Sequence, residues 1–255
     1  MPVDSSLEPS PSDPDPLAFD GGRPSSAHRV VALLEVILCS DIPTQAALGS
    51  TFAAMGYRPF ASGQIRFGFV AMLSLLDSIL LVGLMVFFLY AHGERPRDVF
   101  LGRRPISREA RLGLPLVFLA LGMGFGILAT IQRYAPSLHT VSINPLQALV
   151  RTPRDAWLFA LFVIVPAGLR EELQRAFLLR RFELCLGGAT FGLVVTSIGF
   201  GALHALQGVD ATIATGALGA FWGIVYLRRR SVVAPLVSHS GFNLVQTLQF
   251  LVVRP

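Results

Sequence analysis

Four charged side chains fall within six residues at Arg170-Glu171-Glu172-Leu173-Gln174-Arg175, directly after the apolar run Trp157 to Leu169. Two of the five histidines also lie in apolar surroundings: His204 ends Phe200-Gly201-Ala202-Leu203-His204, and His239 opens His239-Ser240-Gly241-Phe242-Asn243. Residues four apart share a helix face. That spacing pairs Phe200 with His204, His239 with Asn243, and Glu171 with Arg175, the acid leading as a helical ion pair prefers. Glu, His and Asn together are a hydrolytic set. A carboxylate in a low-dielectric pocket can act as general base to a water. A neutral His can orient that water, and His with Asn can donate hydrogen bonds to the oxyanion of a tetrahedral intermediate. The same types suit Zn²⁺, with Glu171, His204 and His239 as ligands and a fourth position open to water. Residue type alone admits both chemistries, although the H-E-x-x-H spacing of zinc peptidases is absent. Taken singly, the charged run reads equally well as a solvated helix end and each His as an interhelical hydrogen-bonding group. A double Glu, two His and an Asn on three separate apolar segments are harder to explain as packing.

Those segments must be membrane helices. Of 255 residues, 53% are hydrophobic and 15% charged, and the mean hydropathy is +0.60. A soluble core of this size needs a far richer charged shell, and lipid supplies the alternative. Any ionisable group at bilayer depth costs a few kcal/mol unless paired or hydrated, so each is a functional candidate. A span needs about 20 mostly apolar residues, and seven stretches qualify. They run from Val30 to Ala53, Phe67 to Ala91, Leu112 to Gln132, Ala156 to Leu179, Gly188 to Leu206, Ala211 to Leu227, and Val232 to Val253. The first should kink at Ser40-Asp41-Ile42-Pro43. Ser142 to Asp155 reads as a short interfacial stretch that leaves room for an eighth element.

The net charge of +5 is uneven, because residues 1–27 carry five acids and one Arg. That Pro-, Ser- and Asp-rich tail cannot bury enough apolar surface to fold and is expected to be disordered; it is no signal peptide. The arginines are scattered between apolar segments, which argues against nucleic acid and for membrane orientation. With the amino terminus inside, thirteen arginines fall in inside segments and six outside, so that orientation is expected. Cys39 and Cys185 read as packing residues. His28, His92 and His139 fall in tails or loops and read as solvated. Glu35, Asp41 and Asp77 read as structural acids, Asp210 as a helix-start acid, and Gly216, Gly219 and Gly223 as a close-packing surface.

At this point the chain resembles the CPBP family of CAAX prenyl proteases and bacteriocin-processing enzymes, also called Abi intramembrane proteases. Members carry a double-Glu motif followed by Arg, an F-x-x-x-H motif and an H-x-x-x-N motif on successive helices. Phe200 to His204 fits the second. Gly219 to Leu227, Ser231, Ala234-Pro235, His239 and Asn243 look like the family's last two helices. The resemblance covers about Ala156 to Val253. One departure stands out: the family's E-E-x-x-x-R is here Glu171-Glu172-Leu173-Gln174-Arg175, with the Arg one residue early. Aligning on Arg175 makes Glu171 the Arg-paired acid and puts Arg170 in the place of the water-activating Glu. Aligning on the Glu pair makes Glu171 the base and Glu172 the supporting acid, and turns Arg175 by about 100° around the helix. The second alignment is preferred, with Glu172 as the reserve base.

The expectation is therefore an all-α, polytopic membrane bundle of about seven helices, with residues 1–27 a tail, 28–155 amino-terminal helices and loops, and 156–253 a CAAX-protease-like core. The resemblance implies an intramembrane endopeptidase acting on a peptide or prenylated peptide near the membrane surface, with Glu171, Glu172, Arg175, His204, His239 and Asn243 as its site. Zn²⁺ and a metal-free mechanism are both open. The competing reading is a noncatalytic membrane-binding or transport protein that uses the same polar pocket for a ligand or proton.

Overall fold

A computed structural model describes residues 24–61, 64–142 and 153–253. Most of the amino-terminal tail and of the stretch from Ser142 to Asp155 lies outside them. The described chain is all-helical apart from a two-residue antiparallel ladder between Phe60–Ala61 and Gln64–Ile65. Among the described residues ten α-helices follow one another: α1 Ser26–Leu38, α2 Ile42–Ala54, α3 Phe67–Ala91, α4 Pro96–Phe100, α5 Ile106–Tyr134, α6 Pro153–Ile164, α7 Glu171–Cys185, α8 Ala189–Ala202, α9 Val209–Arg229 and α10 Val233–Val253.

Every apolar stretch read from the sequence is helical, but not every one is a plain span. Among the described residues, α3, α5 and α9 are long and apolar enough to cross a membrane. The α1–α2 pair counts as a fourth if its 44° bend is taken within one span. That bend sits where it was expected: Asp41 has φ 72° and Pro43 occupies the first turn of α2, so neither helix can run through. The fourth predicted span, Ala156 to Leu179, is instead broken. α6 ends at Ile164, a π-helical turn occupies Val165–Arg170, and α7 starts at Glu171. Pro166 has no N–H to give to an α-helical ladder, and the chain takes up the defect by widening the turn. The fifth, Gly188 to Leu206, shortens to the 14 residues of α8, about 21 Å against a hydrocarbon core of about 30 Å. The chain is an integral multi-pass membrane protein in which α7 is largely buried within protein.

Lipid tails are as apolar as leucine, so burial of apolar surface cannot hold such helices together by itself; close packing and polar joints must. Leu81, Met85 and Leu89 of α3 pack with Ala176, Phe177 and Leu179 of α7 and Tyr226 of α9. Gly219 of α9 faces Phe200 of α8, where a Cβ would stand 2.9 Å from the ring. Gly216 and Gly223 likewise face neighbouring helices, as their spacing suggested.

The polar joints account for the acids of the first helices. Glu35 of α1 binds Arg181 of α7 at 3.0 Å and His92 at 2.6 Å, while Glu94 binds Arg180 and Arg181 at 2.7 Å. Glu109 of α5 takes two bonds from Arg229 at 3.1 and 2.5 Å. Three histidines read as solvated are therefore not simply so. His92 is held by Glu35, His139 lies 2.7 Å from Asp210, and His28 closes a capping box with Ser25 at the start of α1. Each sits near a helix end, where a loop His can reach an acid or a cap that its own neighbours do not show. Asp210 also accepts the Ala211 N–H at 2.9 Å, as an acid in a first helical turn should.

Candidate active site

The π turn sets the geometry of the site. Adding one residue to a turn rotates all that follows, and π bulges are frequent at functional sites. Here it delivers Arg170, Glu171 and Glu172 at the head of α7. Arg170, buried, donates Nε to the Pro166 carbonyl at 3.3 Å and Nη1 to Gln174 at 3.3 Å and to Asp41. Its Nη2 stands 3.4 Å from Glu171. Gln174 in turn donates to the Cys39 carbonyl at 2.6 Å. The bend between α1 and α2 is thus tied to the head of α7 through Asp41 and the carbonyl of Cys39, the residue that caps α1.

Glu172 points the other way. Its carboxylate, 1% exposed, accepts from Arg175 and lies 2.8 Å from His239 Nδ1. A carboxylate accepts, so Nδ1 carries a proton, and in the tautomer this selects Nε2 is the acceptor. That Nε2 faces Glu171 at 3.8 Å, too far for a direct hydrogen bond. The Glu171–Arg175 pair expected from four-residue spacing does not form. Arg170 occupies Glu171, and the Arg175 guanidinium is held on the Glu172 side over Phe200, 4.7 Å from its centroid, and Trp222, 5.7 Å. An arginine one residue early still reaches the second Glu, because i,i+3 neighbours also share a face.

Aromatic rings fix His239. Trp222 of α9 stacks on it at 3.9 Å with 19° between planes and donates Nε1 to Ser238 at 3.1 Å. Phe200 lies nearly perpendicular to it, with 6.1 Å between ring centroids. The same Phe200 ring contacts His204 at 4.9 Å, and the Phe200 carbonyl lies 2.8 Å from His204 Nδ1. His204 was read as lying within a span. It sits instead just past the end of α8, as the residue before the turn Ala205–Gln207, because the helix stops at Ala202. A carbonyl can only accept, so Nδ1 of His204 is protonated and its Nε2 is an acceptor. Asn243 lies one turn beyond His239 on α10, half-buried.

The structure thus brings Glu171, Glu172, Arg175 and His239 into contact, sets His204 behind Phe200, and places Asn243 on the His239 face. Arg170, Asp41 and Trp222 were not foreseen as site residues. The Asp41-Ile42-Pro43 break was a visible signal, and Trp222 lies inside the stretch that carried the resemblance; the Asp41–Arg170 contact joins segments 129 residues apart and has no local signature. Nδ1 of His239 is turned to Glu172 and Nδ1 of His204 to a carbonyl, which leaves Nε2 as the ring atom that could take a water or a metal ion; among the described residues no three His, Cys, Asp or Glu side chains stand close enough together to form a metal-holding group.

Fold and site together define a multi-pass membrane protein with a Glu–His–Arg cluster buried among its helices. Residues 153–245 match the family model of the type II CAAX prenyl endopeptidase Rce1-like proteins, a match that runs through all six predicted site residues and is consistent with the CPBP resemblance. No curated protein and no solved structure matches the chain. The matched family is one of proteases.

Proposed function

We propose that the protein is an intramembrane endopeptidase of CAAX type, which hydrolyses a peptide bond near the membrane surface with water activated by Glu171. The observation that carries this reading is His239 held between two adjacent carboxylates, 2.8 Å from Glu172 and 3.8 Å from Glu171. The two acids have different work. Glu172, whose Oε1 takes both Arg175 and His239, fixes the imidazole and its tautomer. Glu171, with 13% of its side chain exposed, retains an oxygen directed at Nε2. A water between Glu171 and Nε2 would give one hydrogen bond to each and turn a lone pair outward to a scissile carbonyl.

Five charged side chains are joined by these contacts: Asp41, Arg170, Glu171, Glu172 and Arg175. They sum to one negative charge, so the proton taken from water leaves these side chains neutral and moves the negative charge onto the attacking oxygen and then the oxyanion, which needs a hydrogen-bond donor. Glu171 takes that proton as the water oxygen attacks. The amide of Asn243, on the same face of α10, is the donor suited to the oxyanion. His204, whose Nε2 is an acceptor, suits proton transfer and not oxyanion binding. The proton held on Glu171 then passes to the leaving amine, which restores the base. The substrate is proposed to be a peptide with a prenylated cysteine, and the bundle to present its site from about seven membrane helices with the amino terminus inside.

The test is cleavage of prenylated and unprenylated peptides ending in a CAAX sequence by the full-length protein in liposomes. Products from the prenylated peptide that fall at least 100-fold with Glu171→Gln support the reading. Equal binding of the peptide by both proteins without any cleavage would instead favour the noncatalytic ligand-binding alternative.

A further inference from the structure

A cavity of about 710 Å³ opens at the end of the bundle where α3 and α9 finish and α5 begins. It shares no residue with the active site and does not depend on the proposed reaction. Seven arginines and three acids line it. Three arginines are already committed: Arg180 to Glu94, Arg229 to Glu109, and Arg230 to Glu183 through two bonds of 2.6 Å. The other four, Arg95, Arg103, Arg104 and Arg228, are exposed and form no ion pair among the described residues. Asp98 is the single lining acid outside those pairs, so the cavity has an excess of three positive charges beyond its internal pairs.

Basic loop residues that merely orient a membrane protein need no common focus. Here the walls are built. The Phe100 carbonyl accepts the Val232 N–H at 2.8 Å, and Tyr226 donates to the Val99 carbonyl at 3.1 Å, so the α4 loop is clamped to the end of α9. Arg230 adopts φ 53°, a strained conformation for a non-glycine residue. Its carbonyl lies where any side chain at Gly102 would be. That approach sets Arg103 and Arg104 across from Arg228 around one opening. Guanidinium groups gathered around one opening suit a tetrahedral oxyanion, to which each can offer two parallel N–H donors.

We propose that this cavity binds a phosphate group, and its place at the ends of three membrane helices points to the headgroup phosphate of an anionic phospholipid. The experiment uses the full-length protein in nanodiscs of phosphatidylcholine, with phosphatidylglycerol or inorganic phosphate as probe. Retained lipid is read by native mass spectrometry. The comparison is between a cavity triple variant, Arg103→Gln/Arg104→Gln/Arg228→Gln, and a charge-matched control at the opposite helix ends, Arg58→Gln/Arg66→Gln/Arg133→Gln. Phosphatidylglycerol retention should fall at least roughly tenfold in the cavity variant and less than about twofold in the control. Should only inorganic phosphate bind, with the same dependence on the cavity residues, the phosphate site stands and its ligand is the free ion. Equal losses in both triple variants, no loss in the cavity variant, or no binding of either probe overturns the proposal. The single variant Arg228→Gln, expected to lose about threefold, gives the same reading if the triple variant does not fold.

Discussion

Replacing each glutamate of the pair by glutamine should separate a structural acid from a working base. Glu172 is 1% exposed and partners both Arg175 and His239. Without its charge, the Arg175 guanidinium, 5% exposed, keeps two aromatic faces and no carboxylate. Breaking a buried pair from one side costs about 3–5 kcal/mol, and an amide that still accepts one bond puts Glu172→Gln near the lower end. Glu171 stands 3.4 Å from Arg170, which retains Asp41 as its main partner. Glu171→Gln leaves that pair intact and removes the excess negative charge of the buried cluster, so it should cost no more than about 1 kcal/mol. With roughly 2–4 °C per kcal/mol for a chain of this size, Glu172→Gln should lower the melting temperature by roughly 6–12 °C and Glu171→Gln by roughly 2–4 °C. Thermal unfolding in one detergent, followed by circular dichroism, measures both. Equal shifts would refute the division of labour. The reverse order would make Glu171 the supporting acid and Glu172 the base.

Other consequences follow from single contacts. Trp222 is 1% exposed and stacked on His239, so Trp222→Ala should destabilise by about 3–5 kcal/mol; Trp222→Phe keeps a ring on the imidazole and should retain peptidase activity within roughly tenfold. Gly102→Ala places a side chain against the Arg230 carbonyl at φ +64°, and a melt should show a loss of about 1–3 kcal/mol. Glu183 lies beyond the membrane helices, and two bonds from Arg230 hold its carboxyl below the usual glutamate range. A depressed value means that the pair stabilises the fold above the ordinary glutamate value and that this is lost as the pH falls below it. Wild type should thus lose more melting temperature than Glu183→Gln between about pH 5 and pH 3.

The seven helical stretches were legible because apolar length is a local property of the sequence, and so was the kink at Pro43. What the sequence hid depends on backbone defects and long-range pairing. The π turn at Val165–Arg170 converts a reading of one span into two helices and lets an arginine one position early still bind Glu172. His92 and His139 looked solvated because Glu35 and Asp210, their partners, are 57 and 71 residues away. Glu171, Glu172, Arg175 and His239 were legible as charge where lipid should forbid it. Which acid holds the arginine was not, since residues three and four apart share one helix face, and Arg170 on Glu171 together with the rings of Phe200 and Trp222 decides between them.

The central claim is that Glu171 activates water for peptide hydrolysis. Its most direct test is cleavage of a prenylated CAAX peptide in water enriched in ¹⁸O, with wild type and Glu171→Gln compared at equal folded concentration. Wild type should place one ¹⁸O in the new carboxylate, and the variant should turn over at a rate at least about 100-fold lower. Glu171→Gln turning over at the wild-type rate would contradict it.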